Sequence, residues 1–298
     1  VTTPLIHPGW APPAANMLSG YSLEMTAKDI DSLRAAAPAI RPGASVSIAF
    51  LPNETLAARV AAAKAIRELG FEPMPHFAAR RFRSPAEFED YLAAAVAEAG
   101  VRRCFVIAGD PANPQGPFEN SMALIETGAF ERYGIAGLGV GGHPEGHPRM
   151  TKEQSFAVLQ AKCAEIVRRG MAPLVVTQFA FDADRVLAWL KALRARRLDV
   201  PVRIGIPGPA GVSTLLRFAA RCGVGASKTV LAKYGISVGK LFGPAGPDKL
   251  VEALDRGLGP EHGPVRLHFY PFGGLEKTVE WINRFDRAHP SRISEREN

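Results

Sequence analysis

The sequence predicts a single (β/α)8 TIM barrel of the α/β class, preceded by a short extended N-terminal arm. Three observations predict it. Eight short apolar segments alternate with stretches of helical periodicity along the chain. Those segments are mostly apolar throughout rather than alternating with polar residues, as strands buried on both faces are. The polar residues able to carry chemistry fall at or just past the segment ends, which is where such a barrel opens its site.

Residues 1–20, with Pro4, Pro8, Pro12 and Pro13, read as the arm. Strand-like segments follow at 21–25, 45–50, 72–76, 103–107, 135–140, 174–177, 202–206 and 265–270. Helical patterns separate them at 29–39, 55–69, 85–99, 121–132, 152–169, 183–197 and 213–221. Two further helical pieces, 227–241 and 248–257, precede the eighth strand, and 275–288 closes the barrel. Ser84, Thr151 and Asp182 stand where helix caps are expected. The expected division is an arm at 1–20, a catalytic barrel at 21–290 and a polar, frayed tail at 291–298. A doubly wound sheet is the competing architecture. Its best support is Gly137-Leu138-Gly139-Val140-Gly141-Gly142, a literal G-x-G-x-x-G, but a histidine- and proline-rich loop follows it rather than a helix.

Composition narrows the function. The chain has 298 residues, 47% of them hydrophobic, enough for one large core. No apolar run approaches the ~18 residues of a membrane span. The first residues show no basic-then-apolar leader, so a cytoplasmic location is expected. Cys104, Cys163 and Cys222 are too far apart for a metal or disulfide framework, and reduced thiols are the expectation. The net charge of +7 suits either nucleic acid or an acidic small molecule. The basic runs, such as Arg80-Arg81-Phe82-Arg83, fall at loops and helix ends without interleaved aromatics, so no nucleic-acid partner is expected.

Glu24, His76, Asp110, His143, His147, Gln178 and His268 to Tyr270 all lie at or beyond strand ends. Each alone reads as an ordinary rim hydrogen-bonding group; their convergence on one face is the signal. His76, His143 and His147 lack a confirming carboxylate cluster, and the two in the loop lack the helical setting of an i, i+4 pair, so no metal is expected.

Seven stretches, in order, resemble the methylenetetrahydrofolate reductase family in its bacterial single-domain form. They are Ser22-Leu23-Glu24, Pro75-His76-Phe77, Gly109-Asp110, His143-Pro144-Glu145-Gly146-His147-Pro148, Thr177-Gln178-Phe179-Ala180-Phe181-Asp182, Ile206-Pro207-Gly208 with Val212-Ser213, and His268-Phe269-Tyr270. The fourth and fifth are the most specific. The resemblance implies a (β/α)8 barrel in which NADH reduces FAD, and the flavin N5 then passes hydride to 5,10-methylenetetrahydrofolate to give 5-methyltetrahydrofolate. Glu24 matches the acid that protonates the departing folate nitrogen, a task eased if an apolar site raises its pKa. Asp110 matches the carboxylate beside flavin and pterin, able to stabilise the iminium cation. His76, Ala108, Gly109, Asp110, His143, His147 and Lys162 match cofactor-lining positions. Gln178, Phe181, Arg217 and Tyr270 are assigned to the folate. A homo-oligomer is consistent with the family.

The departures from the family pattern concentrate on the cofactor. Ala108 stands for an arginine, Ala49 for a threonine and His143 for a tyrosine; Ile166 stands near a lysine position that Lys162 could serve from one turn earlier. Gly273-Gly274 replaces the arginine that grips the folate tail, a charge Arg217 could supply. Two chemistries follow: FAD held in an altered manner, or direct hydride transfer from NADH without flavin. Other readings are a flavin barrel resembling proline dehydrogenase, a non-catalytic folate- or flavin-binding barrel, or a methyl-transfer partner. Retention of Glu24 and Gln178 favours catalysis.

Overall fold

The computed structural model describes residues 17–221 and 244–289. The expected arm up to residue 16, Cys222, the helical piece at 227–241 and the tail at 291–298 lie outside the described residues.

Eight parallel strands close into a barrel: β1 (Ser22–Met25), β2 (Ser45–Ile48), β3 (Glu72–Ala78), β4 (Arg103–Ile107), β5 (Gly137–Gly142), β6 (Ala172–Phe179), β7 (Val202–Pro207) and β8 (Val265–Tyr270). Each pairs with its neighbours in sequence, and β8 closes on β1 through Ser22–His268 and Leu23–Phe269. The (β/α)8 expectation holds, and the doubly wound sheet is overturned by the closure. Helices α1 (Ile30–Ala36), α2 (Leu56–Glu68), α3 (Pro85–Ala99), α4 (Ser121–Glu126), α5 (Ala129–Arg132), α6 (Lys152–Arg168), α7 (Ala183–Ala195), α8 (Val212–Arg221), α9 (Asp248–Gly257) and α10 (Leu275–Ala288) connect them. None among the described residues is long and apolar enough to cross a membrane.

The helices start where side-chain oxygens take up orphan backbone N–H groups. Ser84 Oγ accepts from Glu87 N with Pro85 opening α3, Asp182 accepts from Asp184 N, and Thr151 with Gln154 forms a reciprocal capping box on α6. The expected helix over 121–132 is broken. Both the N–H and the hydroxyl of Thr127 donate to Leu124 O, ending α4, and Gly128 turns left-handed before α5. A two-residue antiparallel pairing, Ala210–Gly211 with Pro244–Ala245, is a feature the sequence pattern did not suggest.

Strand alternation sorts the barrel into two surfaces. Leu23, Val46, Ile48, Phe77, Val106, Leu138, Val140, Val175, Ile204, Ile206, Leu267 and Phe269 join the core cluster that also takes in the inner faces of the helices. The opposite faces fill the barrel itself. Met74, Phe105, Leu174 and Val176 form a separate apolar plug there, with the glycines of β5 making room: a Cβ on Gly139 would lie 2.4 Å from Met74 Cε. One step further along the same strand faces come Glu24, His76 and His268. The barrel interior is therefore apolar in the middle and ionisable at the C-terminal mouth.

Candidate active site

Glu24 is the centre of the mouth. Its Oε2 lies 3.4 Å from His76 Nε2 on β3 and 3.7 Å from His268 Nε2 on β8. Behind His268, its Nδ1 is 2.8 Å from Ser22 Oγ, two residues before Glu24 on the same strand face. The imidazoles are enclosed, with side chains 8% and 1% exposed, and the Glu24 carboxylate retains 19%. Tyr270 packs edge-on against His268 at 4.8 Å and donates its hydroxyl to Thr177 O. Phe105 of the apolar plug lies against His76, with ring centroids 4.7 Å apart.

This geometry corrects one expectation. Burial alone would raise the Glu24 carboxyl, as an apolar site should. The contact with His268 and the charges of His76 and His268 outweigh it and hold Glu24 below its usual value. His76 is pushed down to about 4, by burial first, against the attraction of Glu24; His268 and the guanidinium of Arg59 on α2 add to the depression. His76 therefore faces Glu24 as a neutral imidazole near neutral pH. It was expected to line the cofactor's space; it lies instead inside the mouth, outside the cleft described next.

That cleft has a volume of about 740 Å³ and runs from the end of β4 across β5 to α6. Ala108, Gly109, Asp110, His143, His147 and Lys162 all line it. So do Arg80 and Arg149, which sequence reasoning left out of the site although Arg80 belongs to a basic run at a strand end. Gly109, at φ 91, turns the chain after β4 and sends Asp110 outward. The Asp110 side chain is 65% exposed and its Oδ1 accepts from both Nε and Nη2 of Arg81, the first at 3.0 Å. Arg80 secures the following loop by donating to Glu119 O and Pro111 O. His143 and His147 meet edge to face at 4.7 Å. Burial drives His143 down to about 4, helped by His147 and Lys162, and burial likewise depresses the Lys162 ammonium. Lys162 forms no ion pair among the described residues. A half-buried cation without a carboxylate, beside Arg80 and Arg149 and two neutral-leaning imidazoles, is a donor set that fits a phosphate-bearing dinucleotide.

The two most specific loops are physically joined. Glu145 Oε1 accepts from the backbone N–H of Phe181 at 2.8 Å and of Asp182 at 2.9 Å, tying the loop after β5 to the loop after β6. Gln178 sits at an irregularity of β6, where the register with β7 shifts between Val176 and Phe179. Gly205 of β7 permits it: a Cβ there would lie 2.6 Å from Thr177 O and 2.8 Å from Phe179 N. Thr177 Oγ1 accepts from Gly205 N at 2.8 Å and pins the bend. Gln178 is left partly exposed, with its Oε1 on the backbone N–H of Phe179. Phe181, assigned to the folate, has its ring fully enclosed against Phe179, so its side chain belongs to the core that shapes the loop. Arg217 is exposed on α8, and Tyr270 is half-buried at the mouth.

The structure thus brings Glu24, His76, His268 and Tyr270 together at the mouth. It brings Asp110, His143, His147 and Lys162 together in the cleft. Strand β4 joins the two: Phe105 touches His76, and Val106 to Ala108 line the cleft. Ser22 and His268 are the members to which sequence reasoning gave no role in the site. Period-two alternation along β1 and β8 was the signal, since it places Ser22 with Glu24 and His268 with Tyr270.

Among known proteins, the family model described as methylenetetrahydrofolate reductase matches residues 38–236, more than half of the chain. "Methylenetetrahydrofolate reductase 1" of Schizosaccharomyces pombe is 27% identical over 196 residues, 62% of this chain and 31% of that protein. "Methylenetetrahydrofolate reductase (NADH) 1" of Arabidopsis thaliana is 26% identical over 151 residues, 46% of this chain and 25% of that protein. The chain thus spans about a third or less of the length of these relatives. The dihydropteroate synthase of Thermus thermophilus overlays at a TM-score of 0.48 with 13% identity, covering 90% of this chain and 94% of that one; at that level the overlay carries no functional weight.

Proposed function

Because the chain belongs to the methylenetetrahydrofolate reductase family, we propose that it interconverts 5,10-methylenetetrahydrofolate and 5-methyltetrahydrofolate with NADH, or NADPH, as the hydride source and FAD as the group held in the cleft. One observation carries the reading. A partly exposed carboxylate, Glu24, stands at the barrel mouth one strand contact away from a cation-lined cleft of dinucleotide size.

FAD, when bound, supplies a ring that accepts and gives up hydride. The chain's own residues do the rest. Arg80, Arg149 and Lys162 neutralise phosphate charge. His143 and His147, uncharged near neutral pH, offer hydrogen bonds without adding charge. Glu24 delivers the proton that lets the folate's bridging C–N bond break towards the iminium ion. Asp110 places negative charge at the cleft rim, where that cation develops. Gln178 both donates and accepts, so its amide suits a pterin edge or a nicotinamide carboxamide. Residues 21–290 form the catalytic unit in this reading, in the cytoplasm and serving one-carbon metabolism and methionine biosynthesis.

A second reading rests on the same cleft. Three cations and a dinucleotide-sized cleft fit NADH as well as FAD, and direct hydride transfer needs only one dinucleotide. The visible spectrum of the purified protein decides between them. Absorption near ~450 nm that bleaches with NADH supports FAD. A colourless protein that oxidises NADH with methylenetetrahydrofolate, unaffected by added FAD, moves the assignment to direct transfer. Binding of folate with no turnover under either condition would leave a binding protein and end the enzymatic reading.

A further inference from the structure

The Glu24 environment holds more than an acid. Two imidazole nitrogens converge on one carboxylate oxygen, His76 Nε2 at 3.4 Å and His268 Nε2 at 3.7 Å, with Ser22 Oγ closing on the far side of His268 at 2.8 Å. His268 Nε2 is buried and makes no hydrogen bond in this arrangement. We propose that Glu24 delivers a proton that it shares with His268, and that Ser22 holds His268 in the orientation and tautomer that make the sharing possible. This rests on the reductase reading and names positioning residues for it.

Each group facing Glu24 bears on the sharing. From β2 comes Ser47, which does not titrate. From β3 comes His76, which burial, His268 and the nearby Arg59 guanidinium of α2 hold neutral near neutral pH. From β8 comes His268, and its Nδ1 is occupied by Ser22, so its free nitrogen faces the carboxylate. Glu24 and His268 are then a carboxylate and an imidazole placed to share one proton. Glu24 is the outlet because it alone keeps access to solvent at the mouth, 19% against 1% for His268. The step balances. One proton leaves the unit and bonds to the departing folate nitrogen, the C–N electron pair stays on that nitrogen, and one proton from water recharges the unit. That is the proton the overall reduction consumes.

Removing the imidazole removes one site that can hold the proton, so the unit must lose its proton at lower pH. His268→Gln keeps an amide beside Glu24 and deletes only the titration. The pH dependence of kcat for NADH-driven reduction of methylenetetrahydrofolate should show its alkaline limb moved down by about one pH unit in His268→Gln. In Ser22→Ala it should move by less. A purely structural role would lower kcat at every pH and leave the limb where it was, which overturns the proposal. Histidine-labelled ¹⁵N NMR gives a readout without turnover. In the wild type, His268 Nδ1 should read as the protonated nitrogen, donating to Ser22 Oγ and leaving Nε2 as the site that shares the proton with Glu24. Its signal should change in Ser22→Ala, and the His268 ring should respond to Glu24→Gln. A His268 spectrum indifferent to Glu24→Gln also overturns the proposal. If the wild type never turns over methylenetetrahydrofolate while the NMR coupling is present, the reductase reading fails and the Glu24–His268 pair stands.

Discussion

At the scale of single residues, the two carboxylates at the barrel mouth differ in kind. Glu24 is largely buried, opening to solvent only at the mouth, and its state depends on two buried imidazoles. Asp110 is 65% exposed, and its pairing with Arg81 is of the surface kind that contributes little to stability, ~0–1 kcal/mol. Asp110→Asn therefore isolates chemistry from folding. The expected result is a loss of about 100-fold in kcat, the scale of removing one preorganised electrostatic stabiliser. The thermal midpoint should stay within about 2 °C. A variant that unfolds early, or one with full activity, would refute this role for Asp110. The positions of both carboxylates were legible from strand ends alone. The sign of the Glu24 pKa was not, because it is set by His268 and His76, which come from distant strands and reach Glu24 only when the barrel closes β8 on β1. Phe181 shows the opposite limit: a motif position resembling a binding residue is, in space, the packing that shapes the loop.

At the scale of elements, the loop after β2 is fastened by one side chain. Arg59 on α2 is 1% exposed, donates to Leu51 O, lies over the Phe50 ring at 3.4 Å and approaches Glu54 to 3.6 Å. Both Glu54 carboxylate oxygens are buried with no hydrogen-bond donor, so Arg59 is the charge that makes their burial tolerable. Removing only one partner should cost more than removing both. Arg59→Leu is expected to lower unfolding stability by about 3 kcal/mol, and the double variant Arg59→Leu, Glu54→Leu to recover most of it. Urea denaturation of the single and double variants reads the coupling; strictly additive losses would contradict it. A comparable element-level constraint is the bend of β6. Gly205→Ala would press a methyl group into the backbone at Thr177 and Phe179, at a cost of about 1–3 kcal/mol. It should also raise the KM for folate by displacing Gln178, measured by steady-state kinetics. A variant stable to within error and unchanged in KM would show that the bend does not place Gln178. The strands and most helices were readable from apolar periodicity and caps. The bend was not, because a register shift is a relation between two strands and leaves no pattern in either.

At the scale of the whole molecule, the barrel stores uncharged imidazole in its functional half, and this sets how stability responds to pH. His76 and His143 both have folded values near 4 against an ordinary 6.5, with burial the first cause in each. The unfolded chain binds protons at these positions as pH falls through 6.5, and the folded chain refuses them until about 4. Their contribution to stability is thus complete above pH 6.5 and is lost between 6.5 and 4. Glu24, held below its usual 4.5, adds a loss of the same sign beneath that value. For His76, which is 6% exposed, the 1.5 units between 6.5 and pH 5 correspond to about 2 kcal/mol. In a domain of this size that amounts to a fall of about 4–8 °C in the thermal midpoint. His76→Gln deletes the titration while leaving an amide beside Glu24. Its midpoint at pH 7.5 should be lower than the wild type's, but its decline between pH 7.5 and pH 5 should be shallower by that amount. Calorimetric midpoints at the two pH values test this directly. Parallel declines would mean that His76 is protonated in the folded barrel at pH 5. Glu24 would then face a cation on β3 rather than a neutral imidazole, and the proton shared at the mouth would belong to His76 as much as to His268.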